Sequence, residues 1–396
     1  MKLVKTLILC SLIGWTSSTN AQWTACTNPS GALPFSLEIY NDTIFLGTVS
    51  SGIYKSVDNG NSWTAINTSL NITQIWTINH ANNAVFASST SGMLYKSTNG
   101  GNNWSLSNTG ISATTVVKKV IQFNGKIFAT TSNTGVIISN DNGSTWAQHN
   151  TGISGLVSDA ILVIENELYV GVNQRLYKYD TTSQSWTSKS TGIPNNNIST
   201  IAYTKDNLGS TTFFVGNGNS NDVAKSTNGG TNWSVADNGL PNVGVYSLLG
   251  IGTTVFAGND YGVYKTTDYG ANWTDISSFT NASQAKFLSK STNDIFVLQG
   301  GKLWKKSLSS LGLSASEVNI QDENFTIYPN PVINNLLINS KYQFSKYEIT
   351  DISGQKLAIG IINNQLIDMS TLKPGVYILK LITFDNKTIN KRVLKK

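Results

Sequence analysis

Five segments of this 396-residue chain repeat a carboxylate or amide, a glycine and a tryptophan at one spacing. They are Asp58, Gly60 and Trp63; Asn99, Gly101 and Trp104; Asp141, Gly143 and Trp146; Asn228, Gly230 and Trp233; and Asp268, Gly270 and Trp273. A fixed carboxylate could act as a general acid or base, but Asn99 and Asn228 could not, because an amide oxygen only accepts hydrogen bonds. Common to all five is an acceptor for backbone N–H groups across a tight turn, a glycine free to take positive φ, and an indole to pack beside the next unit. The segments therefore read as structural devices. Other acids, Asp159, Asp222, Asp260 and Asp275, are scattered without fixed spacing and read as solvated loop carboxylates. A carboxylate-binding clamp needs the planar forks of several arginines, and the chain has Arg175 and Arg392 alone. His80 and His149 lie far apart, with no H-x-x-x-H or C-x-x-C spacing, so no metal is expected. The Gly229–Gly230 turn lacks the Lys-Ser/Thr of a phosphate loop, and no cofactor is expected.

These residues need elements to hold them, and the tryptophans give the period. Trp63, Trp104, Trp146, Trp186, Trp233 and Trp273 follow one another at steps of 40 to 47 residues. Each step holds four short apolar runs separated by turns, which is the length and content of a propeller blade. Phe45, Phe86, Phe128, Tyr169, Phe214, Phe256 and Phe296 occupy one slot in the second run of each unit. The last unit has three runs and no tryptophan after it, while Trp23 is in phase and orphaned at the other end. The expectation is an all-β chain: a seven-bladed β-propeller, closed by an N-terminal strand, followed by a small Ig-like β-sandwich.

Composition narrows function. Charged residues make up 13% and the net charge is +6, of which Lys2 and Lys5 supply two, leaving no basic stripe to neutralise phosphates. Nucleic acid is not expected as a partner. Residues 1–21 read as a signal peptide: Lys2 and Lys5, the apolar run Thr6–Trp15, then small residues ending at Ala21. That run is too short to span a bilayer, and no transmembrane segment is expected elsewhere. With Cys10 in the leader, Cys26 would be the only thiol left.

The five segments resemble the Asp-box (BNR) repeat of sialidases, sortilin-type receptors and photosystem-assembly propellers. That resemblance covers residues 23 to about 307. It implies a scaffold rather than an activity, since sialidases use three arginines and only Arg175 lies in the repeats. The alternative is a glycoside hydrolase of the xyloglucanase-like class, which needs two carboxylates across a cleft. A binding role suits the scaffold better. Strand counting puts the blade-joining loops and second-to-third-strand turns on the face opposite the boxes, with Gln74, Lys118, Asp159, Tyr246, Asp260 and Tyr261. That face is expected to bind a protein or a glycan.

After Trp304 the repeat stops. The expected division is a signal peptide at 1–21, the propeller at 22–308, a linker at 309–323 and a separate module at 324–396. The module carries Tyr328, Pro329, Asn330 and Pro331, then Asp351 and Gly354, then Gly375 and Tyr377, and ends on a basic stretch from Lys391 to Lys396. These motifs closely resemble the type A C-terminal sorting domain of the type IX (Por) secretion system of Bacteroidetes. The resemblance implies that the machinery of that system is a partner, that the chain passes the periplasm and outer membrane, and that it ends extracellular or on the cell surface.

Overall fold

The computed structural model describes residues 22–194, 197–206, 209–218, 223–278, 283–313, 326–340, 344–351, 355–362, 365–383 and 388–396. The leader, Asp222 and Gly354 lie outside these residues, as does residue 314 onward of the expected linker.

The repeats fold into seven four-stranded antiparallel sheets. Blade 1 consists of Pro34–Tyr40, Thr43–Thr48, Ile53–Ser56 and Thr64–Ala65, and blades 2 to 6 begin at Ile75, Val117, Ser158, Ile198 and Val245. Blade 7 takes Ala285–Lys290, Asp294–Gln299 and Lys302–Ser307 from one end of the repeats and Thr24–Ala25 from the other. Innermost strands touch in cyclic order and meet again between blades 7 and 1, so the ring is closed. The aromatic slot is one register position: Phe45 lies opposite Glu38, Phe86 opposite Asn79, Phe256 opposite Leu249 and Phe296 opposite Ser289. All seven aromatics in that slot are buried, wedged between neighbouring sheets.

In each box the acid or amide oxygen gathers the turn. Asp141 Oδ1 accepts from the backbone N–H of Ser144 at 3.0 Å and Thr145 at 2.8 Å and from the Ser139 hydroxyl at 2.8 Å. Asn99 Oδ1 does the same work with the Asn103 N–H at 2.9 Å and the Ser97 hydroxyl at 2.9 Å. The glycine after it takes φ of 80° at Gly143, and a Cβ there would stand 2.7 Å from Phe86. Hydrogen bonds from Ser62, Thr145 and Asn272, in that order, hold Asp58, Asp141 and Asp268 well below the usual carboxylate range. Groups kept ionised in this way hold no proton to donate at neutral pH.

The tryptophans reach back to the preceding blade and not, as expected from sequence, to the next. Their indole N–H groups donate from Trp104 to Ile66 O at 2.7 Å, from Trp146 to Ser107 Oγ at 3.2 Å, and from Trp273 to Ala236 O at 2.7 Å. Trp186, Trp233 and Trp63 bond in the same way to His149 O, Lys189 O and Thr27 O. The strand runs outward from its box, and the indole therefore lies over the blade already passed. A second recurrent link runs the other way: lysines in the third strand reach the box of the following blade, Lys96 to Asn142 O at 2.9 Å, Lys225 to Tyr269 O at 2.8 Å and Lys305 to Asn59 O at 2.9 Å.

The ring closes through the N-terminal strand. Thr24 pairs with Lys305 and Ala25 with Trp304, and the Trp23 indole donates to Ile276 O in blade 6 at 2.9 Å. Trp23 is 5% exposed and sits among Phe256, Val263, Ile295 and Leu308.

The C-terminal module is two sheets around one core. One joins Thr326–Tyr328, Asn335–Asn339 and Leu366–Asp368; the other orders Lys356–Ile361, Phe344–Asp351, Gly375–Thr383 and Thr388–Lys395. Val332, Leu336, Ile349, Ile367, Leu379 and Val393 are buried between them. Asn330 ties its motif to the last strand, accepting from Leu394 N at 2.8 Å and donating to Arg392 O at 3.0 Å. The Tyr377 hydroxyl closes the turn before it by donating to Lys373 O at 2.7 Å, and Asp351 Oδ1 accepts from Gln355 N at 3.0 Å. Among the described residues the one helical turn is Ser309–Leu311, and no helix is long and apolar enough to cross a membrane.

Two outcomes follow from ring closure and from the central strands. Trp23→Ala removes a buried indole and the bond that seals blade 6 to blade 7, and is expected to cost about 3–5 kcal/mol in urea unfolding; Trp63→Ala, at a half-buried position, is expected to cost less. On the innermost strands burial pushes the Glu38 carboxyl up to about 7, against the lowering effect of Lys119. An acid raised in the folded state contributes stability that is complete below about pH 4.5 and is lost as pH rises to about 7. Glu38→Gln should therefore raise Tm at pH 8 and leave it unchanged at pH 4.5.

Candidate functional site

The face opposite the boxes is built by a repeated irregularity. Each innermost strand slips register after its first residue, as between Pro34 and Ser36, Ile75 and Thr77, Val117 and Lys119, and Ser158 and Ala160. A bulge leaves one extra side chain unpaired and turns it out of the ladder. The seven bulged residues are Phe35, Trp76, Lys118, Asp159, Ser199, Tyr246 and Lys286, one per blade around the channel mouth.

Their neighbours divide this mouth into two sectors. In blades 3 to 5, Lys118 forms an ion pair with Asp159, whose second oxygen accepts from Asn197 Nδ2 at 3.0 Å. That sector is polar and internally satisfied. From blade 6 through blade 2 it is aromatic. The Tyr246 hydroxyl bonds both oxygens of Asp260, at 3.0 and 3.1 Å, and Gln284 Nε2 donates to Asp260 at 2.8 Å. Lys286 Nζ stands 5.7 Å from the centre of the Phe35 ring, and the Phe35 and Trp76 rings are 5.5 Å apart. Trp76 is 36% exposed and Tyr261 52%, and Leu33, Met93 and Leu156 on the same face are also exposed.

Of the residues expected on this face, Lys118 and Asp159 come together, as do Tyr246 and Asp260. Tyr261 follows Asp260 and points its ring to solvent, while Gln74 accepts from the Thr90 hydroxyl at 2.6 Å. Asp275 lies on the outermost strand of blade 6, where it accepts from the Ser277 N–H at 2.7 Å. Phe35, Trp76 and Lys286 were missed; their signal is position, since each is the second residue of an innermost strand, where alternation alone assigns it to neither face. Both acids at the mouth are spent as acceptors. Asp159 is held by a cation and an amide and Asp260 by a phenol and an amide, an arrangement that orients these side chains around the mouth.

Below the mouth, Glu38 and Lys119 face one another's charge, and His80 stacks on Tyr40 with ring centres 3.2 Å apart. Burial pulls His80 down to about 4, so its imidazole is neutral at physiological pH. Among the described residues no group of three or more His, Cys, Asp or Glu is placed to hold a metal ion.

Comparison with known proteins agrees with the fold. Residues 326–396 match the family described as the secretion system C-terminal sorting domain, and residues 82–239 match the DUF6242 beta propeller domain. No curated protein matches the sequence. Among solved structures, YCF48 from Cyanidioschyzon merolae is 13% identical, with a TM-score of 0.54 over 72% of this chain and 98% of its own. YCF48 has also been solved bound to a D1 peptide. Virginiamycin B lyase from Staphylococcus aureus, solved in a catalytically inactive form with quinupristin, is 14% identical, with a TM-score of 0.60 over 72% of this chain and 98% of its own. PorZ, a surface component of the type IX secretion system of Porphyromonas gingivalis, is 12% identical, with a TM-score of 0.54 over 94% of this chain; the chain spans 61% of its length. At these identities the likeness is one of fold. The chain is thus an all-β protein that joins a β-propeller to a secretion-system C-terminal sorting domain.

Proposed function

We propose that this is a non-catalytic propeller, delivered to the cell surface or the medium, which binds a protein segment or a glycan through the face opposite its boxes. One observation carries the reading: the bulges gather Phe35, Trp76, Tyr246 and Lys286 around one mouth, with Trp76 and Tyr261 left open to solvent. Exposed aromatics with polar tips or neighbours are suited to peptide side chains and to sugar faces alike. That YCF48, a propeller of the same fold, is known with a bound peptide supports the protein-segment form of the reading. The Lys118–Asp159 and Tyr246–Asp260–Gln284 contacts keep the platform rigid before a partner arrives.

Delivery follows from the two ends of the chain. Residues 1–21 act as the export signal to the periplasm, and residues 324–396 are then read by the type IX machinery at the outer membrane. The propeller occupies 22–308, and the 309–323 linker lets the sorting module be removed once it has been read.

Deleting residues 324–396 should leave the propeller folded in the periplasm and absent from the cell surface and medium, as fractionation and immunoblotting would show; a propeller still found in the medium would sink the sorting role. For the face, the double variant Trp76→Ala with Lys286→Ala is expected to weaken capture of ligands found by a glycan-array and surface-proteome screen by about tenfold or more, close to 1.4 kcal/mol or above. Undiminished capture of every such ligand would move the site elsewhere.

A further inference from the structure

Two blades lack a box: blade 7, whose fourth strand comes from the other end of the repeats, and blade 4. In blades 1, 2, 3, 5 and 6 the third and fourth strands pair over two residues and are joined by a box. Blade 4 instead pairs four residues, from Tyr177 opposite Ser188 to Asp180 opposite Ser185, so a hairpin stands where the box would be. Its turn is held by Asp180 Oδ1, which accepts from Thr182 N at 2.8 Å and Ser183 N at 3.2 Å.

The lysine links fail at the same place. Blade 3 has Ile138 in the slot of Lys55 and Lys96, and so has no cation to send to blade 4. Blade 4 does have a lysine there, Lys178, but it turns to Glu167 on its own sheet. Glu167 also accepts from the Tyr169 hydroxyl at 2.9 Å. With neither box nor crossing lysine, a groove of about 410 Å³ opens over the tip of blade 4.

We propose that this groove is a second binding site, on the opposite face from the channel mouth, and that it takes a neutral saccharide. Its volume lies within the range of small-ligand pockets, about 300–1,000 Å³. Lys178 and Lys189 are matched in the lining by Glu167 and Asp180, so the groove offers no net charge to an anion or a cation. Asn124, Asn166, Thr181 and Thr187 add amides and hydroxyls. A wall that donates and accepts in equal measure suits a ligand that does the same at every position, which is the chemistry of sugar hydroxyls. Tyr179 anchors the floor, its ring 6.3 Å from Phe123 and its hydroxyl 3.1 Å from His149 Nε2.

The test uses the full chain and a panel of neutral oligosaccharides (gluco-, xylo-, manno- and galacto-configured) beside sialylated and sulfated ones, read by saturation-transfer NMR and calorimetry. Binding of at least one neutral member is expected. Thr187→Trp, which fills the groove from an exposed strand position, should cut that affinity about tenfold or more, and Lys189→Ala about threefold, with Tm unchanged; Trp76→Ala, on the other face, should leave it intact. Should Thr187→Trp prove unstable, Lys189→Ala alone decides. Binding of anionic members only, binding of none, or binding that survives both groove variants would overturn the proposal. Loss of neutral-saccharide binding in Trp76→Ala alone would assign the sugar to the channel mouth, which separates failure here from failure of the reading above.

Discussion

Every blade junction in this ring is crossed by one indole N–H. Each β-ladder of the propeller is completed within its own blade, so no ladder runs between neighbouring sheets, which meet through side-chain packing and through single hydrogen bonds such as Lys96 Nζ to Asn142 O at 2.9 Å and Val120 N to Asn79 Oδ1 at 2.9 Å. Packing is strong but non-directional, and seven sheets could slide on one another without losing much buried area. A tryptophan that buries its ring in the preceding blade and donates to one carbonyl or hydroxyl there fixes the slide and the tilt together. The box exists to launch that residue. In the five blades that carry a box, its acid or amide oxygen folds the chain back within a few residues and brings the tryptophan, as at Trp104 and Trp146, to the start of the outer strand. Trp23 makes the same contact from the far end of the repeats, so closure uses the interaction that already serves each junction.

Because the bond is local to each junction, the blades are free to differ elsewhere, and they do so at both faces. On the channel side a bulge recurs in all seven innermost strands, yet its side chain varies from Phe35 to Asp159 to Ser199. On the box side, blade 4 has lost the box but kept Trp186, which still donates to His149 O at 2.8 Å. The retained indole and the discarded turn show which of the two the ring requires. A turn released from that duty can open a groove without weakening the junction.

Most of the scaffold was legible in the sequence because it rests on period and spacing. The count of seven, the aromatic slot and the borrowed N-terminal strand all followed from tryptophans 40 to 47 residues apart, a signal that neither burial nor charge disturbs. Sequence position could not give the direction in which an indole leans. Trp146 is nearer in sequence to blade 4 than to the Ser107 it bonds, and the twist of the outer strand decides the matter. The face opposite the boxes was half legible. Asp159, Tyr246 and Asp260 were expected there, but Phe35, Trp76 and Lys286 were not, because a bulge reverses which side of a strand a residue faces without leaving a mark in composition. Glu38 was hidden for a related reason: an acid in an alternating apolar strand reads as its solvent side, and in a ring the inner strand's solvent side is the crowded channel.

The low charge of the chain then has a physical reason tied to its architecture. Surfaces between blades and around the channel are places where an unpaired ion costs much and a paired one is rigidly held, as the value of about 7 at Glu38 illustrates. Asn, Ser and Thr meet the hydrogen-bonding needs of many turns without that cost. Asn67, Asn108 and Asn150 each accept from the first N–H of the third strand, at 2.7, 2.5 and 2.8 Å, Ser277 does the same through a hydroxyl at 2.9 Å, and Ser190 takes the second N–H of its third strand at 2.9 Å. A neutral acceptor performs this duty at any pH and at any salt concentration. For a propeller joined to a secretion-system sorting domain, with one described thiol, Cys26, buried in it, such neutral, repeated bonds tie the turns together where many exported folds use disulfides.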